Sequence, residues 1–236
     1  MIKDHGWKKL VAIQGVLAGD QDPLKVLKQN EAAGGYSLNI LADTVQFGTT
    51  DFQPILNKVV QAVNADKPDA ILLNVVVPMT PQIYKGLRAL GVTIPILTEQ
   101  SSQDRSVFAM GNAAVEGMLV FDGQGGFANT AALPDDWPLK AGQLAFEQLY
   151  KAKYNAAPDP AGAIGSDWVT VLAAAMKQAG GDDKVKVQQA LINLKDLAVL
   201  EGIVSFTPEL TSEGIHGQVV EWQIKNGGFE LIKTYQ

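Results

Sequence analysis

Three polar residues stand directly after a short apolar run near the middle of the chain. Glu99, Gln100 and Ser101 follow residues 94–98, whose apolar run predicts a β-strand. A carboxylate at a strand end can accept hydrogen bonds from an ammonium or amide group, and it acts as a general acid or base only if burial shifts its pKa. These three residues are therefore candidates for contact with a ligand, with an ordinary polar loop as the alternative.

The other predicted strand ends extend this candidate site. Ligands of open α/β sheets bind beyond the carboxyl ends of the strands, which here fall at residues 16–22, 45–50, 76–80, 99–102 and 122–125. From these loops we add Asp20, Val76 and Val77 as ligand-binding candidates. Asp20 also fits an exposed turn before a helix, which is the interpretation that we favour, and Thr80 fits a helix N-cap.

Motifs for catalysis and for metal binding are missing from the sequence. The chain has no cysteine, and its two histidines, His5 and His216, lie far apart and without metal-ligand spacing. It has no P-loop, no dinucleotide-binding glycine motif after a strand and no nucleophile elbow. We therefore predict no enzyme, no cofactor and no metal. An α/β enzyme with an unrecognised site, using Glu99 or Asp122 as acid or base, stays an alternative.

Composition and charge exclude two further classes of partner. The 236 residues carry a net charge of −6, and no basic cluster suits a nucleic-acid backbone. The longest apolar runs, such as residues 70–77, are too short to span a bilayer. No apolar segment with basic flanks opens the chain, so we predict no signal peptide within it.

Strand and helix patterns alternate through the first half of the chain. Apolar runs predict five buried strands, at residues 10–13, 37–45, 70–77, 94–98 and 117–121. Amphipathic segments between them predict helices at 23–33, 52–64, from 80 to 90, and 104–114. Because parallel strands need helical crossovers, this alternation predicts a doubly wound parallel sheet.

Residues 48–56 predict the start of the second of these helices. Thr50 and Gln53 have the spacing of a capping box, in which Thr50 caps the helix, and Pro54 falls in the first turn.

The second half of the chain has a different organisation. Residues 123–136 are predicted as a connector, followed by helices at 139–154, 163–179 and 184–194 and by β-like segments at 202–206, 219–225 and 229–233. Asn226, Gly227 and Gly228 predict a hairpin turn. The apolar faces of the three helices need a partner layer that these elements do not supply, so we predict self-association or aggregation through these faces if no other chain covers them.

Five segments of the chain carry a family pattern: GTTDFQPIL at 48–56, AAVEGM at 113–118, FEQLYKAKY at 146–154, AIGSDWV at 163–169 and GIVSF at 202–206. In this order they resemble segments of the type I periplasmic solute-binding proteins of branched-chain amino acid ABC transporters, the leucine/isoleucine/valine-binding protein family. The resemblance implies that residues 1–122 and 216–236 form the second lobe. Residues 123–215 are then the hinge and helices of a first lobe whose N-terminal part is lacking.

The resemblance also implies a function. Such a protein is the extracytoplasmic or periplasmic component of an ABC uptake transporter, binds a small amino-acid-like, amide or carboxylate ligand in an interlobe cleft, and contacts a membrane permease. A cytoplasmic small-molecule sensor on the same fold is the alternative. The family acid that pairs with the ligand ammonium aligns with Gln100, which carries no charge. Either Glu99 replaces that acid or the ligand is not a simple α-amino acid.

Overall fold

The computed structural model describes residues 1–123, 125–158, 160–209, 215–216 and 218–235. The chain divides into two compact units. Unit 1 comprises Met1–Phe121 and Glu221–Glu230, and unit 2 comprises Asp122–Val220 and the residues from Leu231 onward. Among the described residues, no helix has both the length and the apolar character needed to cross a membrane.

The strands are, in chain order, β1 (Lys9–Gly15), β2 (Ser37–Val45), β3 (Ala70–Asn74), β4 (Ile96–Thr98), β5 (Leu119–Asp122), β6 (Leu197–Ala198), β7 (Ile203–Val204), β8 (Ile215–His216), β9 (Val219–Lys225) and β10 (Gly228–Tyr235). The α-helices are α1 (Ala18–Gln29), α2 (Glu31–Gly34), α3 (Gln53–Asp66), α4 (Met79–Ala89), α5 (Ser106–Gly111), α6 (Lys140–Tyr154), α7 (Pro160–Ala179) and α8 (Lys184–Ile192). Short 3₁₀ helices span Gln100–Gln103, Asn112–Val115 and Phe127–Ala132.

Unit 1 is built on a mostly parallel sheet, as the strand–helix alternation predicts. Within the described residues, seven strands form this sheet in the order β10-β9-β5-β4-β3-β1-β2, and the pairs among β1 to β5 are parallel. Asn226 and Gly227, two of the three residues predicted as a hairpin turn, have positive φ angles of 52° and 71°, as a two-residue turn between β9 and β10 requires. The doubly wound α/β fold is therefore confirmed.

The central strands are buried on both faces because their sequences are continuously apolar. Val11 and Ile13 on β1 are fully buried, and so are their neighbours Ile71 and Leu73 on β3. On the opposite face, Leu10 and Ala12 belong to a cluster that also contains Trp7, Leu24, Leu38, Ala70, Leu72 and Leu119. The two layers fix the register of the sheet and place all the parallel strand ends at one edge.

Two of the predicted helix starts differ in detail from the structure. Helix α1 begins at Ala18, five residues before the predicted start at Pro23, so Pro23 lies inside the helix. Helix α3 begins at Gln53, and the side chain that accepts the Gln53 N–H is Asp51, at 2.9 Å, not Thr50. The Gln53 side chain donates instead to Asn57. Pro54 does lie in the first turn, as predicted.

The segment between β3 and α4 also differs from the prediction. Strand β3 ends at Asn74, and α4 already begins at Met79, so Thr80 lies inside the first turn and is not the N-cap. The Thr80 side chain is fully buried, and its hydroxyl donates a hydrogen bond to the Val75 carbonyl. Thr80 therefore closes the loop after β3 by a local contact.

Unit 2 contains the three predicted helices and a small sheet. Within the described part of the chain, β6, β7 and β8 form an antiparallel sheet in that order, and the two-residue strands β6 and β8 are too short to give a periodic signal. A core of apolar side chains joins this sheet to α7 and α8, and its members are Val171, Ala175, Val187, Ala190, Leu194, Val199, Val204 and Phe206.

Candidate functional site

The carboxylate of Glu99 is held at the carboxyl end of β4. Glu99 has an extended backbone and caps the 3₁₀ helix Gln100–Gln103. Its Oε2 accepts the backbone N–H of Ser101 at 2.9 Å, and its Oε1 accepts the Ser101 hydroxyl. Both carboxylate oxygens are therefore fixed by one residue, which sets the orientation of the charge.

Ser101 also joins two strand-end loops. Strands β3 and β4 are parallel neighbours, with Leu73 opposite Thr98, so their carboxyl ends lie side by side. The Ser101 Oγ accepts the backbone N–H of Val77 at 3.0 Å. Three of the predicted site residues, Val77, Glu99 and Ser101, are thus brought together at this edge.

The remaining predicted site residues occupy different surroundings. Gln100 is exposed, and Val76 is half-buried in the loop after β3. Asp20 is only 2% exposed and lies inside α1, so the exposed turn that we favoured from the sequence is wrong. The Asp20 carboxylate accepts the Leu17 N–H at 3.2 Å and packs where a side chain on Gly15 would otherwise be.

Asp20 nevertheless belongs to the same edge of the sheet. The amide of Asn74, at the end of β3, donates to the Asp20 carbonyl, which joins α1 to that strand. Burial raises the pKa of Asp20 and exceeds the opposing effect of the Leu17 hydrogen bond. Burial likewise raises the pKa of Glu99, against the two hydrogen bonds from Ser101, and the Asp20 charge adds to the rise. Ionisation of both carboxyls, Asp20 and Glu99, is therefore unfavourable at this edge of the sheet.

The loops at this edge contain no positively charged side chain that would offset the carboxylates. The four loops of unit 1, at residues 16–22, 45–50, 76–80 and 99–102, contain three acidic residues and no lysine, arginine or histidine. A positively charged or N–H-rich group placed beside Glu99 would favour its ionised form, whereas a ligand carboxylate would be repelled. This edge therefore favours a ligand group that donates hydrogen bonds or carries a positive charge.

Unit 2 contains a second group of buried carboxyls that the sequence did not reveal. Both oxygens of Asp167 accept backbone N–H groups, from Leu200 at 2.8 Å and from Glu201 at 2.9 Å. The Glu201 side chain is buried, and its Oε1 has no hydrogen-bond partner among the described residues. Burial, and then the charges of Asp167 and Asp122, raise the pKa of Glu201 to about 8.

The backbone of Gly125 lies beside this group. Its carbonyl accepts the Trp137 indole N–H at 2.9 Å and the Gln143 amide at 3.0 Å. Gly125 has a φ of 74°, and a Cβ there would lie 3.0 Å from the Glu201 carbonyl oxygen, so glycine is required. Gly125, which falls within the segment predicted as a connector, is therefore packed in place. Among the described residues, no three acidic or histidine side chains are arranged to hold a metal ion.

Comparison with known families decides the identity of this scaffold. A profile described as "periplasmic binding protein" matches residues 1–226, which is nearly the whole chain. The chain belongs to the periplasmic binding protein family. The resemblance to solute-binding proteins of branched-chain amino acid transport is thereby confirmed.

Solved structures similar to this periplasmic binding protein show the same fold. The leucine-binding protein LivK of Thermotoga maritima has a TM-score of 0.81 and 24% identity over 100% of this chain and 62% of its own. An extracellular ligand-binding receptor of Rhodopseudomonas palustris HaA2 has a TM-score of 0.84 and 20% identity over 98% and 65%. A solute-binding protein of R. palustris in complex with benzoate has a TM-score of 0.76 and 19% identity over 99% and 60%.

These similarities define how far this periplasmic binding protein can be compared. The chain spans 60% to 65% of the length of the three proteins. At identities below 25%, they establish the fold, while the ligands in their names belong to those proteins. A comparison with curated proteins finds no match.

Proposed function

We propose that this periplasmic binding protein is the solute-binding component of an ABC uptake transporter, acts outside the cytoplasm and delivers a small ligand to a membrane permease. Its ligand presents an ammonium or amide N–H group to Glu99. In this proposal, residues 1–122 and 216–236 are the second lobe and residues 123–215 are the hinge and first-lobe helices. The family membership supports solute binding rather than catalysis.

The observation that carries the proposal is the double hydrogen bond from Ser101 to Glu99. Each carboxylate oxygen accepts one bond from Ser101 and keeps further acceptor capacity, because a carboxylate oxygen has two lone pairs. A preoriented acceptor loses little side-chain entropy when a ligand donor binds. Glu99 therefore takes the role that the aligned Gln100 cannot fill, and Val77 offers an apolar contact beside it.

The charge of the site narrows the ligand class. A cationic or N–H-donating group gains from Glu99 and from the nearby Asp20, and it lowers the raised pKa of Glu99 on binding. A ligand that offers only a carboxylate to this edge meets like charges. We therefore place amino acids and aliphatic amides ahead of aromatic acids for the part of the ligand held by unit 1.

Isothermal titration calorimetry tests this function. The protein is titrated with leucine, isoleucine, valine, short aliphatic amides and benzoate at pH 7. We expect an amine or amide to bind, benzoate to bind at least 10-fold more weakly, and Glu99→Gln to weaken the best ligand at least 10-fold. Glu230→Gln, a surface change in the same unit, is the matched control. NMR spectra of the ligand after incubation should show it unchanged.

Three results would overturn the proposal. Absence of binding by every member of the panel contradicts solute binding of this class. Equal affinity of Glu99→Gln and the wild type contradicts the assigned site, and conversion of a ligand into product contradicts a pure binding function.

A further inference from the structure

The hairpin between β9 and β10 contains two neighbouring residues that can react with each other. Asn226 is followed by Gly227, whereas every other asparagine of the chain is followed by a residue that has a side chain. Both residues are exposed, and they lie in the part of the hairpin that belongs to unit 1. Because glycine has no Cβ, its backbone nitrogen is open to approach by the side chain that precedes it.

The reaction is a deamidation. The Gly227 nitrogen gives its proton to a hydroxide ion and attacks the Asn226 Cγ. A bond forms between this nitrogen and Cγ, the bond from Cγ to the side-chain nitrogen breaks, and ammonia leaves with a proton from water. Water then adds to one of the two carbonyls of the resulting succinimide ring and opens it. The product is aspartate or isoaspartate, in which the backbone continues through the side-chain carbon.

The closed hairpin keeps the reacting atoms apart. The φ angles of Asn226 and Gly227, 52° and 71°, are those of a type I′ turn. In such a turn the first central residue has a ψ of about 30°, which places its Cβ and the next nitrogen almost opposite each other about the Cα–C bond. Ring closure needs these two atoms on the same side of that bond. The reaction therefore requires rotation of the Asn226 backbone out of the turn.

Hydrogen bonds from a neighbouring segment hold this conformation. The Asn226 N–H donates to both carboxylate oxygens of Glu116, at 3.0 and 3.1 Å. Next to this contact, the Gly117 N–H donates to the Ile224 carbonyl at 2.8 Å. Asn226 and Glu116 are both exposed, and exposed turns open locally far more often than the whole domain unfolds. The Glu116 contact therefore controls how often Asn226 leaves the turn.

We propose that Asn226 is a site of spontaneous deamidation, which the closed β9–β10 hairpin suppresses and which proceeds when the end of the hairpin opens. Water is the only co-reactant, so the modification needs no enzyme. Glu116 and Gly117, which hold the turn, also belong to unit 1. The inference therefore depends neither on unit 2 nor on the ligand proposed above.

The modified chain does not re-form the same turn. Aspartate at position 226 has a carboxylate beside that of Glu116, which accepts the N–H of the same residue, and the two like charges repel each other. Isoaspartate also adds a carbon to the backbone, so the two-residue geometry is lost. Deamidation thus converts a transient opening of the hairpin into a permanent one.

Peptide mapping by mass spectrometry tests the site on the full chain, incubated at pH 8 either folded or unfolded in guanidinium chloride. Asn155 is the matched control, because it is exposed and also has a φ of 52° but precedes Ala156. In the unfolded chain we expect Asn226 to deamidate roughly 10-fold faster than Asn155 or more, because the glycine nitrogen is unhindered. In the folded chain we expect Asn226 to react roughly 10-fold more slowly than in the unfolded chain or less.

A substitution tests the control by the hairpin. Glu116→Ala removes the acceptor of the Asn226 N–H, and we expect deamidation of folded Asn226 to become roughly 3-fold faster or more. Glu209→Ala, an exposed change in unit 2, should leave the rate unchanged. Far-UV circular dichroism verifies that both variants are folded. Equal rates at Asn226 and Asn155 in the unfolded chain would overturn the assigned site, and equal folded and unfolded rates at Asn226, or equal effects of the two substitutions, would overturn control by the hairpin.

Discussion

Ser101 binds both oxygens of the Glu99 carboxylate, one through its backbone N–H and the other through its hydroxyl. The same hydroxyl oxygen accepts the N–H of Val77, which lies 24 residues away in the sequence. One small side chain thereby orients the acidic group of the candidate site and ties the loop after β3 to the loop after β4. These hydrogen bonds restrain the Glu99 side chain and the two loops relative to each other.

Removing this hydroxyl should loosen the site and the fold together. Ser101→Ala leaves the half-buried Val77 N–H without its acceptor and one Glu99 oxygen without its donor. We expect the free energy of unfolding to fall by about 1–3 kcal/mol. Urea denaturation measures it, with Ser37→Ala as the control because the Ser37 hydroxyl makes an exposed 3.3 Å contact. Equal losses in the two variants would contradict the role given to Ser101.

The stability of the protein should decrease as the pH rises from about 4.5 to about 8, owing to Glu201. The folded state raises the pKa of Glu201 to about 8, so in this window the folded protein keeps a proton that the unfolded chain has released. The slope from one such group is at most about 1.4 kcal/mol per pH unit. Below the window the contribution is fully present, and above about pH 8 the loss levels off.

Glu201→Gln should flatten this pH dependence because the amide does not titrate. Part of the slope will remain, since burial also raises the pKa of Asp20, Glu99 and Asp167. Urea denaturation at pH 5, 6.5 and 8 measures the slope. Glu209→Gln, an exposed substitution in the same unit, should keep the wild-type slope. An unchanged slope in Glu201→Gln would show that Glu201 is not the responsible group.

Gly15 should tolerate no side chain, because the Asp20 carboxylate lies where its Cβ would be. Gly15→Ala forces Asp20 out of its buried position beside Leu17, and we expect a loss of about 1–3 kcal/mol in the free energy of unfolding. Gly19→Ala, in the helix that contains Asp20, meets no described atom within 4 Å and should stabilise by up to about 1 kcal/mol. Thermal and urea unfolding compare the two variants, and a neutral Gly15→Ala would contradict the placement of Asp20.

The start of α3 provides a test of which residue caps the helix. Asp51 accepts the Gln53 N–H, so Asp51→Ala should cost about 0.5–2 kcal/mol, while Thr50→Ala should change little. Denaturant unfolding of the two neighbouring variants distinguishes them directly. A larger loss for Thr50→Ala would restore the capping box that the sequence pattern predicts.

Much of the fold follows from local patterns in the sequence. The apolar runs of β1 and β3, the amphipathic helices and the Asn226-Gly227 turn each depend on residues within one or two turns of the chain, so periodicity alone predicts them. Helix starts were less predictable, as Pro23, Thr50 and Thr80 show, because several neighbouring residues can supply a cap and long-range packing selects among them.

The sequence by itself determined the doubly wound sheet, the family resemblance and the strand-end loops in which Glu99, Ser101 and Val77 lie. Only the tertiary structure decided that Ser101 joins Val77 to Glu99, that Asp20 is buried, and that Glu201 lies near Asp122 and Asp167. These relationships connect residues from different strands and helices. Their distances are set by the packing of whole elements, and burial and neighbouring charges then shift the pKa values.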